Sequence, residues 1–221
     1  MNSGAVMEVE SVKENDKILY NVVKRFFDII FGVIGIIFLI PLTIIIKIAY
    51  MLTGDFDSIF YSQDRIGKDG KLFRLYKFRS MYTDADKKLE ELLKNDKEFA
   101  KEYKVNKKVR NDPRITKVGK VIRKCSIDEI PQFINVFIGN MSLIGNRPYL
   151  PREKQDMGDY FDDIVSTKPG ITGYWQVIGH NDVDFNERLK LEQKYSKIRS
   201  FRLDTRIFFA TFRVILGKKG I

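Results

Sequence analysis

The chain is poor in the residues that build covalent staples, metal cages and hydrolytic triads. Its 221 residues hold one cysteine, Cys125, and one histidine, His180. No disulfide can close within it, and a Cys/His zinc site is excluded. A Ser-His-Asp arrangement would rest on His180 alone, in the turn-like stretch Gly179-His180-Asn181-Asp182, and no G-x-S-x-G elbow accompanies it. P-loop and G-x-G-x-x-G patterns, internal repeats and low-complexity tracts are also missing. Residues 1–20 are polar and mildly acidic, without a positive n-region, and no small-residue cleavage site follows the next apolar run. That excludes a secretory signal peptide and predicts a mobile tail. The cysteine usage fits a cytosol-facing location.

Positive charge, by contrast, is plentiful. A net charge of +10 calls for a polyanionic partner, and a nucleic acid, an anionic membrane surface or a phosphorylated substrate all satisfy it. The length allows one domain, or one domain with an appendage, and 44% hydrophobic residues supply a core.

The strongest physical signal runs from Phe26 to Met51. Ile29 to Ile46 gives 18 residues without a charge, at the edge of transmembrane length. A chain this small cannot enclose a helix apolar on every side, so membrane insertion is the default reading. Pro41 interrupts the run, removing the hydrogen bond to the Ile37 carbonyl. The arms on either side, 26–40 and 41–51, are about 22 Å and 16 Å long as helices, short of a hydrocarbon core of about 30 Å. Lys24, Arg25 and Lys47 make both flanks basic, which removes the bias that orients a spanning helix. A hairpin that breaks at Pro41, dips into one leaflet and returns explains both facts. A single kinked span, with Asp28 and Lys47 at opposite interfaces, is the alternative. The predicted organisation is a tail over 1–20, a re-entrant membrane hairpin over 21–52 and a cytosolic-face catalytic domain over 53–221.

Downstream the pattern turns to α+β, mostly helical. Ile59-Phe60-Tyr61 reads as a strand, Asp69-Gly70 as a hairpin turn, and Lys71 to Arg79 as a second strand interleaving aromatic and basic residues. Most of those side chains suit a half-buried strand with one solvated face. Thr83–Asn106 reads as a charged surface helix, Asn111-Asp112-Pro113-Arg114 as a turn, and the residues up to Lys124 as a short basic helix. Asp184–Ser196 is a further helix. From Asp204 the chain ends in a basic amphipathic helix suited to the bilayer interface or to the core.

The stretch Lys124 to Gln132 sets two adjacent carboxylates, Asp128 and Glu129, behind a basic segment containing Arg110, Arg114, Lys117, Lys120, Arg123 and Lys124. Pro131 suits a first helical turn. Asp128 is then the predicted N-cap of a helix from about Glu129 to Ile138 that stops at Gly139. A carboxylate there stays ionised and lies at a ready anion site, as a phosphoryl-transfer nucleophile requires. Ser126-x-x-Glu129 also fits a capping box, which explains the same residues by structure alone.

Taken together the motifs resemble the bacterial sugar transferase family, the monotopic phosphoglycosyl transferases. The resemblance rests on Lys24-Arg25 with Asp28, Tyr76 to Met81, Asn111 to Thr116, Ser126 to Gln132, Met141-Ser142-Leu143 with Arg147-Pro148, and Pro169 to Gly173, and it covers Lys24 to the C-terminus. It implies a monotopic membrane protein with a re-entrant hairpin, amphipathic interfacial helices and a small β-hairpin. It also implies the reaction: a sugar 1-phosphate passes from a UDP-sugar to undecaprenyl phosphate, releasing UMP, through a covalent aspartyl-phosphosugar, with Mg²⁺ required. Asp128 is then the nucleophile, and Glu129 joins it in holding Mg²⁺. Arg123 and Arg147 bind phosphate, with Lys77, Arg79 and Arg114 in the same shell. Arg147 to Glu153 looks like members handling galactose or glucose, and a homodimer is compatible. The chain departs from the family at Ile40, where serine commonly precedes the breaking proline, at Asn140, often aspartate, and at Asn146, commonly proline. The rival readings are a membrane-tethered scaffold or nucleic-acid-binding protein, or an inactive family member. Under the family reading no nucleic acid is expected.

Overall fold

The computed structural model describes residues 14–106, 109, 111–179 and 183–216. Residues 1–13 of the predicted tail, Arg110, His180 and the basic Lys218 and Lys219 lie outside the described residues.

The fold is organised around one long helix, α1 (Glu14–Leu52). Here the structure corrects the expected hairpin: α1 passes through Pro41 without a turn between two arms. Proline costs a helix one hydrogen bond and one clash, and neighbouring contacts hold this helix together across the defect. Leu39 and Ile46 are buried on either side of it, in a cluster with Tyr50, Ile59, Phe78 and Ile122. The Thr43 hydroxyl donates to the Leu39 carbonyl at 2.8 Å, supplying a side-chain bond beside the proline although residue 40 has no hydroxyl.

α1 is long and apolar enough to cross a membrane, yet only 22% of its most apolar stretch is buried. Phe26, Ile37, Ile40 and Ile45 stand on the exposed side. The buried side is fastened to the rest of the chain at both ends. Near the N-terminal end Lys24 pairs with Asp204 at 2.5 Å, and buried Asp28 accepts from Ser142 Oγ (2.9 Å) and from the Leu143 amide (2.8 Å). Near the C-terminal end the Tyr50 hydroxyl donates to the Arg79 carbonyl and lies 3.2 Å from Thr116 Oγ1.

The hairpin of β1 (Phe60–Ile66) and β2 (Leu72–Phe78) forms as predicted, in register from Phe60 opposite Phe78 to Ile66 opposite Leu72. Asp69 and Gly70 turn it with φ of 57° and 74°. The charged surface helix is two helices, α2 (Ala85–Asn95) and α3 (Lys97–Asn106), divided at Asp96. Asp96 closes the first helix through its amide and caps the second, its carboxylate accepting from the amides of Glu98 and Phe99.

α4 (Lys117–Lys124) is capped by Thr116, whose hydroxyl accepts from the Gly119 amide at 2.8 Å. Gly119 is required here by close approach: a Cβ would lie 2.0 Å from the Ser80 carbonyl oxygen. α5 (Gln132–Ile138) ends at Gly139 in the left-handed region, φ 94°, as the sequence predicts. It packs on α1 where two glycines let it in: a Cβ at Gly35 would sit 2.1 Å from the Phe133 ring, and one at Gly32 3.1 Å from Phe137 Cβ.

Beyond α5, β3 (Ser142–Ile144) pairs in parallel with β4 (Gly170–Thr172). Between these strands lie α6 (Lys154–Met157) and α7 (Phe161–Val165). Then come α8 (Tyr174–Ile178), α9 (Phe185–Ile198), capped by Asp184, and α10 (Phe201–Leu216). The last helix is divided between core and surface. Leu203 and Ile207 enter a core cluster with Ile144, Tyr174 and Tyr195, while Phe209 and Phe212 are exposed.

Candidate active site

The acidic pair sits where α4 meets α5, in a single 3-10 turn, Ile127–Glu129. The expected cap geometry is absent. α5 begins at Gln132 behind Pro131, so Asp128 is not its N-cap, and Ser126 makes no capping hydrogen bond. Ser126 instead adopts a left-handed conformation, φ 54° and ψ 20°. That reversal lets the chain leave α4 and reach α5 through so short a turn. Sequence patterning could not foresee it, because a serine at positive φ is rare.

Burial, not a helix terminus, dominates the electrostatics of Asp128. The residue is 8% exposed. Burial raises its carboxyl above the ordinary carboxylate range and Glu129 adds to the rise, while Lys77 and Arg123 pull it down. Glu129 goes the other way. Burial raises it, but Lys77, Arg147 and a hydrogen bond with Gln132 together hold it below its ordinary value. The Lys77 ammonium is 2.7 Å from Glu129 Oε1. Two adjacent carboxyls whose environments push them apart are arranged to carry different tasks.

Three of the predicted residues meet on one open cleft: Lys77 from β2, Glu129 from the acidic turn and Arg147 from the loop after β3. Asp128 lies in the same turn as Glu129. Arg123, at the end of α4, donates Nε to Ser80 Oγ at 2.7 Å. Arg147 is held through its backbone, its amide donating to Glu192 Oε1 at 2.8 Å. Its guanidinium has no hydrogen-bond or ion-pair partner among the described residues. Glu192 is buried, and that burial pushes it up to about 7. The surroundings are electropositive enough that burial, followed by the Arg147 charge, pushes Arg65 down to about 10.

Arg79 and Arg114 are placed differently. Arg79 donates from Nη1 and Nη2 to Asp55 at 3.0 and 2.7 Å and from Nε to the Ser58 carbonyl at 2.6 Å, and its guanidinium stacks 4.5 Å from the Tyr50 ring centre. Arg114 donates to both oxygens of Asp112 at 2.8 and 2.6 Å. Both are buried and hydrogen-bonded to protein acceptors, and neither lines the cleft. Pro41 lies on α1 rather than at a break.

Sequence reasoning missed three fasteners. Asn135, fully buried, accepts from the Tyr76 amide at 3.0 Å and donates to the Arg74 carbonyl at 2.7 Å, joining α5 to the edge of β2 that carries Lys77. Arg25 donates to the Val136 and Phe137 carbonyls, each at 2.7 Å, satisfying the open end of α5. Asn146, at the position where proline is common, donates to Ile164 O (3.0 Å) and Ser196 Oγ (2.7 Å) and so anchors the loop that presents Arg147. The signal available for Arg25 was its place four residues before a helix-long apolar run; Asn135 and Asn146 gave none.

Residues 19–218 match the family described as bacterial sugar transferase. The chain belongs to that family. Among similar sugar transferases is an undecaprenyl-phosphate galactose phosphotransferase of Salmonella typhimurium, 43% identical over 89% of this chain and 41% of the relative. A UDP-galactose-lipid carrier transferase of Erwinia amylovora is 40% identical over the same shares. The exopolysaccharide production protein ExoY of Sinorhizobium fredii is 34% identical over 89% of this chain and 87% of its own length. The chain thus spans about two-fifths of the length of the first two relatives and most of the third.

The residues present also bear on a divalent ion. Among the described residues no group of three or more His, Cys, Asp or Glu side chains comes together. Asp128 and Glu129 offer two carboxylates, one already engaged by Lys77. That set fits Mg²⁺, which usually takes one or two carboxylates and completes its shell with substrate phosphate and water.

Proposed function

We propose that this chain transfers a sugar 1-phosphate from a UDP-sugar to undecaprenyl phosphate, releasing UMP, as the first membrane step in building a surface glycan. The observation that carries the reading is an acidic turn facing Lys77, Arg123 and Arg147, built onto a helix with one side exposed and apolar. Relatives named for galactose, N-acetylgalactosamine and glucose transfer support a hexose donor.

In this reading an oxygen of ionised Asp128 attacks the phosphorus that bears the sugar. The bond from that phosphorus to the bridging oxygen breaks, UMP leaves with the oxygen, and the sugar phosphate remains on Asp128. The phosphate of the lipid then attacks the same phosphorus and returns the carboxylate. An anion attacking a pyrophosphate meets charge repulsion, which Lys77, Arg123 and Arg147 offset. Lys77 also keeps Glu129 ionised. Bound Mg²⁺, held by Asp128 and Glu129, would supply further charge neutralisation at the phosphates. Dividing the transfer lets a soluble donor and a lipid acceptor use one site in turn.

Membrane attachment follows from the same helix. Both ends of α1 are fastened to the body that carries the acidic turn, so α1 lies in one leaflet with its apolar side in lipid. The acidic turn then stands near the headgroups, on the cytoplasmic face. The test is UMP release from UDP-galactose or UDP-glucose with Mg²⁺ and undecaprenyl phosphate. Wild type turns over, and Asp128→Asn is inactive while still membrane-bound. Equal release by the two proteins removes Asp128 from the chemistry.

A further inference from the structure

The cleft that holds Lys77, Glu129 and Arg147 continues to a wall the phosphate chemistry does not use. There it is lined by Trp175 and Gln176, the first turns of α8. Trp175 is half-buried, and buried Arg188 of α9 stacks 4.7 Å from the indole ring centre. The guanidinium also lies 5.8 Å from the Phe185 ring centre, so a packed, buried group covers one face of the indole. The side chains of Trp175 and Gln176 make no hydrogen bond among the described residues. An aromatic ring and an uncommitted primary amide thus stand side by side on one cleft wall.

Arg147 lines the same cleft as Glu129 and Trp175. A donor with its sugar-bearing phosphorus at Asp128 would lay its second phosphate on Arg147 and its remaining part against Trp175.

We propose that Trp175 and Gln176 form the subsite for the pyrimidine base of the nucleotide donor, the indole stacking the ring and the amide pairing with its imide edge. The inference rests on the UDP-sugar reading above. A planar base has a π face to stack, which holds whatever its sequence of ring atoms. A primary amide offers one donor and one acceptor side by side, the complement of a carbonyl next to a ring N–H. Because Arg188 already covers one face of the indole, little side-chain freedom is lost when the base arrives.

Trp175 is the one tryptophan of the chain, so its emission reports the subsite directly. The full chain in lipid nanodiscs is titrated with UDP, UMP, pyrophosphate and galactose 1-phosphate. UDP and UMP should quench the emission saturably, and the two base-free ligands should not. In turnover assays, Trp175→Ala should raise KM for the UDP-sugar about 10-fold or more, the range of a lost base stack. The KM for undecaprenyl phosphate should stay unchanged, and Trp175→Phe should remain near wild type. Quenching by pyrophosphate or galactose 1-phosphate as strong as by UDP overturns the assignment, as does normal turnover with no quenching by UDP. Absence of both UMP release and UDP quenching in the wild type defeats the functional reading itself, and the subsite with it.

Discussion

At the residue scale the two neighbouring carboxyls are shifted in opposite directions. Asp128 is raised chiefly by burial, and Glu129 is held low by Lys77 and Arg147 against that same burial. Removing Lys77 takes away the charge that lowers both. Lys77→Met is therefore expected to move the acidic limb of the kcat–pH profile to higher pH, because a larger share of Asp128 is protonated at any given pH. With it should go a loss of about 10²-fold in kcat/KM, the size seen for removal of one preorganised donor. A profile that keeps its midpoint would separate Lys77 from the ionisation of Asp128. Stability should respond with the reverse sign. A carboxyl raised on folding binds its proton more tightly in the folded state, so stability falls as pH rises from the ordinary carboxylate range through the raised value. Asp128→Asn should then raise Tm at neutral pH by about 2–4 °C for each kcal/mol relieved, and the gain should vanish in acid, where both forms are neutral. Calorimetry at two pH values checks it.

At the element scale the site is an agreement among β2, α4 and α5, fastened by single side chains. Asn135→Ala leaves the Tyr76 amide and the Arg74 carbonyl without their partner, at a cost of about 2–4 kcal/mol. Lower denaturant midpoints with an unchanged m-value would show that loss. The elements themselves were largely legible in the sequence. The β1–β2 hairpin was readable from Asp69-Gly70 and the end of α5 from Gly139, since each depends on local backbone preferences. Joints between elements were not. The left-handed Ser126 and the passage of α1 through Pro41 follow no common local pattern, and the division at Asp96 turns on the caps that this one residue makes to both helices. Arg79 and Arg114, expected in the phosphate-binding shell, are paired with Asp55 and Asp112. Sequence shows which residues are cationic, and only packing shows which of them are still uncommitted.

At the scale of the whole molecule, two attractions to a membrane need separating. The net charge of +10 draws the chain to any anionic surface and is screened by salt. The exposed apolar side of α1 and the phenylalanines Phe209 and Phe212 of α10 act through burial, which salt does not weaken. Washing membranes with about 1 M NaCl, where the Debye length is about 3 Å, should leave the protein in the pellet, and detergent should release it. Release by salt alone would restore the reading of a peripheral basic scaffold.

The clamping of α1 at both Lys24–Asp28 and Tyr50 carries one more consequence. Those contacts tie the exposed apolar helix to the body that carries the acidic turn. Under the proposed reaction, the loaded lipid is therefore released on the side where it was made.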